Sequence, residues 1–267
     1  MILLVALLLI VVLFLFLVKG RMGHKDLPAL RGWSYAHRGL HGNGVPENSM
    51  AAFRAAKDAG YGVELDVHYM KDGSLAVIHD SSLKRTAGSD EVIEDLTAMD
   101  LERFCLENTE EKIPLLQDVL ALFEGKVPVI VELKAYQGNQ SILAEAVCRL
   151  MDTYQGPYCL ESFDPRCIAW LNKNRKDVIR GQLTENFFRS NSPLPWFLKF
   201  AMQHQLLNFM TRPDFVAYRF SDRKTISNFV FRKIFGLQGV TWTIRSKEEF
   251  ELAVQEDWIP IFENFNP

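Results

Sequence analysis

The alternation of short apolar runs with amphipathic segments constrains the fold of this chain more than any other feature. Strict alternation of strands and helices implies parallel strands joined by right-handed crossovers, and eight such units close a barrel. The sequence has eight runs of this kind, at residues 33–37, 61–67, 127–134, 158–162, 178–183, 215–220, 240–244 and 259–262. Asn48 is expected to cap the helix after the first run. The pattern therefore predicts an α/β fold, a (β/α)8 TIM barrel within residues 33–267.

Length and composition agree with one large domain. The chain has 267 residues, of which 48% are hydrophobic, and its formal net charge is −3. Single α/β barrels often reach ~250 residues, so the length is sufficient. The basic residues are spread along the chain rather than clustered, which argues against nucleic acid as a partner. Composition leaves the oligomeric state open.

The stretch from residue 61 to residue 80 carries the most unusual side chains. Glu64 and Asp66 lie two apart in a strand pattern, so their carboxylates point to the same side of the strand. Two buried like charges are costly unless a cation neutralises them. After a turn, the chain returns to His79 and Asp80. Two acids with a histidine beside them suit a site that combines a metal ion with a general base.

Barrel closure is expected to bring further polar residues to the same place. In barrels of this type, the chemistry occurs at the C-terminal ends of the strands. Glu132 and Lys134 are again two apart and lie at the end of a buried strand pattern. The residues expected together at this rim are His37, Arg38, Glu64, Asp66, Glu132, Lys134 and Trp242.

Six short motifs occur along the chain: H-R-G at 37–39, P-E-N-S at 46–49, E-L-D at 64–66, D-G-x-L-x-V-x-H-D at 72–80, E-L-K at 132–134 and T-W-T at 241–243. Together they resemble the motifs of the glycerophosphodiester phosphodiesterases. Each motif is weak alone, but in this order they span most of the chain after the N-terminal apolar run. The resemblance implies a barrel with a small insertion at about residues 81–114. It also implies hydrolysis of glycerophosphodiesters to sn-glycerol 3-phosphate and an alcohol.

The resemblance assigns roles to the acids and histidines. Glu64, Asp66 and Glu132 resemble the family's ligands for one divalent cation, and His37 and His79 resemble its acid–base pair. The residue types themselves favour a hard cation, Mg²⁺ or Ca²⁺ rather than zinc, because they are three carboxylates without a thiol or imidazole cluster. Which histidine gives the proton stays open. So does the nucleophile, which is either water or the 2-hydroxyl of the substrate.

Substrate contacts follow from the same resemblance. Arg38 and Lys134 resemble the family's phosphate contacts, and Trp242 resembles its wall beside the glycerol. The family usually has an asparagine shortly after the tryptophan strand and a threonine–aspartate pair near the last strand. This chain has Arg245 and the sequence F-E-N at 262–264 instead. These departures concern substrate choice more than the reaction.

An unbroken apolar run at residues 1–18 precedes the barrel pattern. As a helix it would be ~27 Å long, just enough to cross a bilayer. A signal peptide would have a basic region before the run and a small-residue cleavage site after it, and this sequence has neither. The run therefore predicts a retained transmembrane anchor at 1–18 and a linker at 19–32. Because Lys19, Arg21, Lys25 and Arg31 follow the run, we expect a single-pass protein of the cell membrane with its domain in the cytoplasm.

Two other functions stay open. A lysophospholipase D would have a similar fold and metal site, and it would use the anchor and the aromatic segment at 193–210 to take lysolipids from the bilayer. A membrane-tethered binding module without activity is the third alternative, although all the polar rim residues are present. Hydrolysis of glycerophosphocholine and of a lysophospholipid, each with and without EDTA, distinguishes the three.

Overall fold

Eight parallel strands close into a barrel, and a ninth strand lies beside it. The structure is a computed structural model and describes residues 1–190 and 192–267. Its strands are β1 (Tyr35–His37), β2 (Gly62–Tyr69), β3 (Leu75–Val77), β4 (Val129–Leu133), β5 (Tyr158–Ser162), β6 (Arg180–Thr184), β7 (Phe215–Arg219), β8 (Gln238–Ile244) and β9 (Trp258–Phe262). The barrel is closed because β1 pairs in parallel with both β2 and β9, whereas β3 pairs antiparallel with the far end of β2. The predicted (β/α)8 barrel is therefore confirmed.

Alternate side chains of each barrel strand face the barrel interior. In β4, Ile130 belongs to the apolar cluster inside the barrel, whereas Val129 and Val131 belong to the cluster between the strands and the helices. Because both faces of these strands are buried, their sequences are nearly continuous apolar runs. A polar residue at an inward position near the end of a strand lies at the top of this packed interior.

Helices cover the outside of the barrel and precede it. They are α1 (Ile2–Val18), α2 (Met50–Asp58), α3 (Lys84–Ala87), α4 (Leu116–Phe123), α5 (Gln140–Met151), α6 (Pro165–Asn174), α7 (Trp196–Gln203), α8 (Asn208–Thr211), α9 (Ile226–Phe229) and α10 (Lys247–Gln255). The N-cap of α2 is Ser49 rather than the predicted Asn48, because the Ser49 hydroxyl accepts the backbone N–H of Ala52 at 3.1 Å. Asn48 has a left-handed backbone with φ of 52°, and its side chain binds Asp66 instead of capping the helix.

The segment between β3 and α4 forms a small excursion beside the end of β2. It contains α3 and two 3₁₀ helices, Ile93–Asp95 and Ala98–Arg103. Its buried side chains, including Leu83 and Leu101, pack against Met70, which directly follows β2. This apolar cluster is separate from the barrel interior, so the excursion attaches to the end of β2 through contacts of its own.

The N-terminal helix α1 leaves most of its length exposed. Residues 1–13 are exposed, whereas Val18 is fully buried against the domain. Asn208 donates its side-chain N–H to the carbonyl of Val18 at 2.9 Å, and Arg212 donates to the carbonyl of Lys19 at 2.8 Å.

The described residues include no helix that is both long enough and apolar enough to cross a membrane. The prediction of a transmembrane anchor at residues 1–18 is therefore not supported. The helix has 17 residues and ends at Val18, where Lys19 is extended and the domain binds the carbonyls of Val18 and Lys19.

Candidate active site

Three buried carboxylates lie together at the C-terminal rim of the barrel. Glu64 and Asp66 are on β2, and Glu132 is on β4 directly opposite Asp66. Each offers a carboxylate oxygen, and these oxygens all lie within 4.8 Å of one another. Each of the three lies two positions from another inward-facing residue of its strand, so the alternation of side chains places all three on the inward face. The structure therefore brings together the three predicted cation ligands.

The protonation of these acids reflects their burial and their neighbours. Burial and the nearby Asp66 and Glu132 raise the pKa of Glu64 well above its usual value. Burial, partly offset by Lys134, raises the pKa of Glu132 to about 7. Burial also acts to raise the pKa of Asp66, but Lys134, His79 and Arg38 outweigh it and hold this pKa below its usual value. Asp66 is thus the acid that stays ionised most easily.

The surroundings of Asp66 explain its ionised state. The Nζ of Lys134 and the Nε of Arg38 each lie 3.4 Å from an Asp66 carboxylate oxygen. The side chain of Asn48 donates a hydrogen bond to Asp66 at 2.9 Å. Lys134 also lies 3.1 Å from Glu132. Arg38 and Lys134, the two predicted phosphate contacts, therefore lie beside the acids, so positive and negative charges are close together at this rim.

The donor set fits a hard divalent cation. All three ligand groups are carboxylates, which Mg²⁺ and Ca²⁺ prefer. A second group, His37, His41 and Glu263, also has its ligand atoms within 4.8 Å. Its geometry has a simpler explanation, because Glu263 is a hydrogen-bond partner of His37.

His37 ends β1 and has a carboxylate partner from the far end of the chain. Its Nδ1 lies 3.1 Å from Oε2 of Glu263, and its Nε2 lies 3.9 Å from Oε2 of Glu64. Because an ionised carboxylate only accepts hydrogen bonds, Nδ1 carries the hydrogen in this pair. Burial lowers the pKa of His37, against the opposing effect of Glu263. Nε2 is therefore the nitrogen that faces the acids.

His79 has an equivalent partner next to it in the sequence. Its Nδ1 lies 2.6 Å from Oδ1 of Asp80, and Asp80 accepts a hydrogen bond from Arg85 at 2.6 Å. Arg85 also donates to Glu47, which in turn accepts from Arg38. Burial lowers the pKa of His79 to about 4. Both histidines thus use Nδ1 for a carboxylate, which leaves Nε2 for the reaction.

Aromatic side chains form one wall of the rim. Trp242 on β8 packs edge-on against Phe163, with ring centroids 5.5 Å apart, and Phe163 packs in the same way against Phe187 at 6.2 Å. The guanidinium of Arg219 lies over the Trp242 ring at 5.1 Å. A cavity of about 340 Å³ is lined by Phe163 of this wall, by His79 and by the last two residues of β4, Glu132 and Leu133. The structure brings all eight predicted site residues to one rim.

Sequence reasoning missed three residues of this site. Glu263 was one of the departures from the family pattern, yet it is the partner of His37. Asn48 was predicted as a helix cap, yet it binds Asp66. Glu161 on β5 belongs to none of the six motifs, and it lies opposite Glu132 in the barrel register. The sequence contains a signal for Glu161 and Glu263, because each lies two positions after an inward-facing residue near the C-terminal end of its strand.

The comparison with protein families agrees with this geometry. The model of the glycerophosphoryl diester phosphodiesterase family matches residues 37–265. A glycerophosphodiester phosphodiesterase of Bacillus altitudinis is 41% identical over 107 residues, which are 38% of this chain and 43% of the relative. A lysophospholipase D of Rattus norvegicus is 29% identical over 185 residues, which are 64% of this chain and 52% of the relative. The chain spans about half the length of the curated relatives it matches.

Solved structures share the fold. A phosphodiesterase of Oleispira antarctica, in complex with the product sn-glycerol-3-phosphate, superposes with a TM-score of 0.70. The two proteins are 20% identical, and the match covers 86% of this chain and 92% of the other. At this level of identity the likeness concerns the barrel, and it agrees with the closed sheet described above.

Proposed function

This chain belongs to the glycerophosphoryl diester phosphodiesterase family, and from that membership we propose that it is a phosphoric diester hydrolase. It converts glycerophosphodiesters to sn-glycerol 3-phosphate and an alcohol. The observation that carries this proposal is the convergence of three buried carboxylates and two histidine–carboxylate pairs at one rim. Hydrolysis of a phosphodiester needs charge neutralisation and proton transfer, and these are the two kinds of group present.

One divalent cation, Mg²⁺ or Ca²⁺, belongs to the proposal. Glu64, Asp66 and Glu132 would hold it, because all of their donors are carboxylate oxygens and their mutual repulsion needs a positive charge. When bound, the cation supplies positive charge to the phosphoryl oxygens. Arg38 and Lys134 add fixed positive charges that bind and orient the phosphate.

The two histidines would share the proton transfers. One takes a proton from the nucleophile, and the other gives a proton to the leaving alcohol, each through Nε2. Glu263 and Asp80 hold the rings by Nδ1 and so fix which nitrogen is available. Each such transfer contributes ~10²–10⁴-fold to the rate. The nucleophile is either water or the 2-hydroxyl of the substrate, which would form a cyclic phosphate first.

A hydrolysis assay tests this function directly. Purified protein should release sn-glycerol 3-phosphate from glycerophosphocholine, and EDTA should abolish the release until Mg²⁺ or Ca²⁺ is added back. Turnover that persists after exhaustive chelation would contradict the role of the cation. Absence of turnover of both glycerophosphocholine and a lysophospholipid, with the cation present, would favour the alternative of an inactive binding module.

The aromatic surface near the rim favours a second candidate function. The chain of packed rings that begins at Trp242 reaches Phe187, and the next residue, Phe188, is half exposed. Trp196 and Phe197 on α7 are also exposed, by 73% and 53%. Such a surface suits the acyl chain of a lysophospholipid. A ratio of kcat/KM for lysophosphatidylcholine over glycerophosphocholine above one would support lysophospholipase D activity, and a ratio far below one would exclude it.

The location of the activity is a separate proposal, in which the domain works at the cytoplasmic face of the cell membrane. It is supported by the apolar residues of α1, which are exposed through residue 13, and by the basic residues that follow the helix. An apolar segment with a basic flank binds an anionic lipid surface without needing to span it.

A further inference from the structure

Glu161 is a fourth carboxyl group beside the three candidate ligands. It lies on β5 directly opposite Glu132, and its side chain faces the barrel interior, since Cys159 two residues before it belongs to the interior cluster. Phe163, two residues after it, packs against the same cluster. Only 1% of Glu161 is exposed. Asp66, Glu132 and Glu161 thus occupy one level of three neighbouring strands.

The residues around Glu161 do not satisfy the hydrogen-bonding capacity of its carboxyl group. Among the described residues, its Oε2 is buried without a hydrogen-bond partner. Leaving a buried polar atom unpaired is costly, so such an atom calls for a partner that the protein itself does not supply. An apolar residue at this position would pack between Cys159 and Phe163 without that cost.

The charges beside Glu161 indicate the kind of partner. Glu161 adds a fourth carboxyl group to Glu64, Asp66 and Glu132, and Lys134 lies 3.4 Å from Asp66 and 3.1 Å from Glu132. Arg38 is shared between Asp66 and a further acid, Glu47, which its guanidinium binds at 2.9 Å. The acids therefore outnumber the cationic side chains beside them, which favours a positively charged ligand such as a divalent cation.

We propose that Glu161 belongs to the cation site as a positioning residue, whose carboxylate accepts a hydrogen bond from a cation-bound water. The proposed contact is water-mediated rather than direct, because the oxygens within 4.8 Å of one another come from Glu64, Asp66 and Glu132, and Glu161 is not among them. Carboxylates that bind the ligands of a metal raise its affinity and fix its surroundings. This inference rests on the cation of the proposed function and extends it to a residue that makes no contact with the substrate.

Direct cation binding tests the inference. The affinities of the full chain for Mg²⁺ and for Ca²⁺ are measured by isothermal titration calorimetry without substrate, for the wild type and for Glu161→Gln. The substitution should weaken the Kd by ~10-fold or more, a typical loss when such a partner is removed. Below saturation, kcat for glycerophosphocholine should fall in Glu161→Gln, and raising the cation concentration should restore most of it. Cys159→Ala is the matched control, because it changes an inward side chain of the same strand without changing charge, and it should keep the wild-type Kd.

Thermal unfolding separates this role from a structural one. In EDTA, Glu161→Gln should melt at a higher temperature than the wild type, because it removes a buried carboxyl that has like-charged neighbours. The rise in melting temperature on adding Mg²⁺ or Ca²⁺ should be smaller than in the wild type. Glu161→Asp keeps the charge, so its affinity should lie between those of the wild type and Glu161→Gln.

The outcomes separate this inference from the proposed function. An unchanged Kd in Glu161→Gln, a lower melting temperature in EDTA, or failure of this variant to fold would assign Glu161 a structural role and overturn the inference, while hydrolysis by the wild type would leave the proposed function intact. A weaker Kd in Glu161→Gln, together with no hydrolysis by the wild type, would uphold the inference and overturn the proposed function. A wild type that binds neither cation overturns the inference, and hydrolysis in EDTA then tells whether the enzyme works without a metal.

Discussion

The two histidines of the site are supported in different ways. His37 ends a barrel strand, and its partner Glu263 comes from a position 226 residues away, at the end of β9. His79 follows β3 outside the barrel, and its partner Asp80 is the next residue. The His37 side chain is 14% exposed and the His79 side chain is 30% exposed. One histidine is therefore held by closure of the barrel, and the other by a local loop.

Because of this difference, one histidine can lose its position while the other keeps it. The support of His79 continues through Asp80 and Arg85 to Glu47, all within loops or the excursion. Loops open more easily than barrel strands, because fewer buried contacts must be broken. Displacing the backbone of His37 requires β1 to separate from β2 and β9. We therefore expect perturbations of the excursion to affect His79 first, while the acids and His37 stay in place.

The largest effect is expected from removing the cation ligands, on which both histidines depend. Glu64→Gln and Asp66→Asn should each abolish hydrolysis, because each removes a charged ligand of the cation. Their stabilities in EDTA should differ. Glu64→Gln relieves repulsion among buried acids and should raise the melting temperature, whereas Asp66→Asn removes the partner of Lys134 and Arg38 and should lower it. Activity in either variant, measured at saturating Mg²⁺, would mean that the histidines do not work around a cation held here.

Removal of each histidine addresses the comparison itself. His37→Ala and His79→Ala should each lower kcat by at least ~10²-fold, with a smaller change in KM, because both act in the transition state. A substrate with p-nitrophenol as the leaving group needs little protonation. The variant that recovers more activity on this substrate has lost the general acid. If neither variant loses kcat, the assignment of both residues to catalysis is wrong.

A smaller effect is expected from the carboxylate partners. Glu263→Gln should lower kcat by less than the ~10²-fold expected of His37→Ala, because the ring remains but its orientation is weaker. In a His37→Ala background, Glu263→Gln should have no further effect on kcat, whereas Asp80→Asn should still have one. Glu251→Gln, an exposed charge change on α10, is the control. An equal effect of Glu263→Gln with and without His37 would separate Glu263 from this histidine.

Acid sensitivity sharpens the contrast further. Burial acts to raise the pKa of Glu263, but the hydrogen bond and charge of His37 outweigh it and lower this pKa to about 2. A carboxyl whose pKa is lower in the folded state stabilises the protein above its unfolded pKa and loses this contribution as the pH falls toward its folded pKa. The free energy of unfolding of the wild type should therefore exceed that of Glu263→Gln at pH 6, and the gap should close between about pH 5 and pH 2. Urea titrations in EDTA measure it, and a gap independent of pH would contradict the assignment.

The smallest effect on catalysis is expected from the N-terminal helix. Its contacts with the domain involve Asn208 and Arg212, on α8 and just after it, and neither histidine is among them. Deletion of residues 2–17 should leave kcat on glycerophosphocholine unchanged and release the protein from membrane fractions. Protease added to intact cells should leave the domain of the full chain uncut. Digestion under these conditions would overturn the proposed cytoplasmic side.

Local patterns account for the parts of the site that the sequence predicted. Glu64 and Asp66 were recognised because a spacing of two in a strand puts both side chains on one face. The strand patterns predicted the barrel because eight of them alternate with helices. By contrast, the helix cap fell on Ser49 rather than Asn48, because the left-handed backbone of Asn48 turns its side chain toward Asp66. The last carbonyl of the N-terminal helix, that of Val18, is bound by Asn208, which lies 190 positions later in the chain.

The sequence by itself determined which residues face the barrel interior and which lie at the strand ends, because the alternation of side chains along a strand is a local property. Only the tertiary structure decided which of them meet. Glu263 reaches His37 because β9 pairs with β1 and closes the barrel, and Glu161 lies level with Glu132 because of the register between β4 and β5. Closure and register depend on how all the strands pack together, so no single stretch of the chain contains that information.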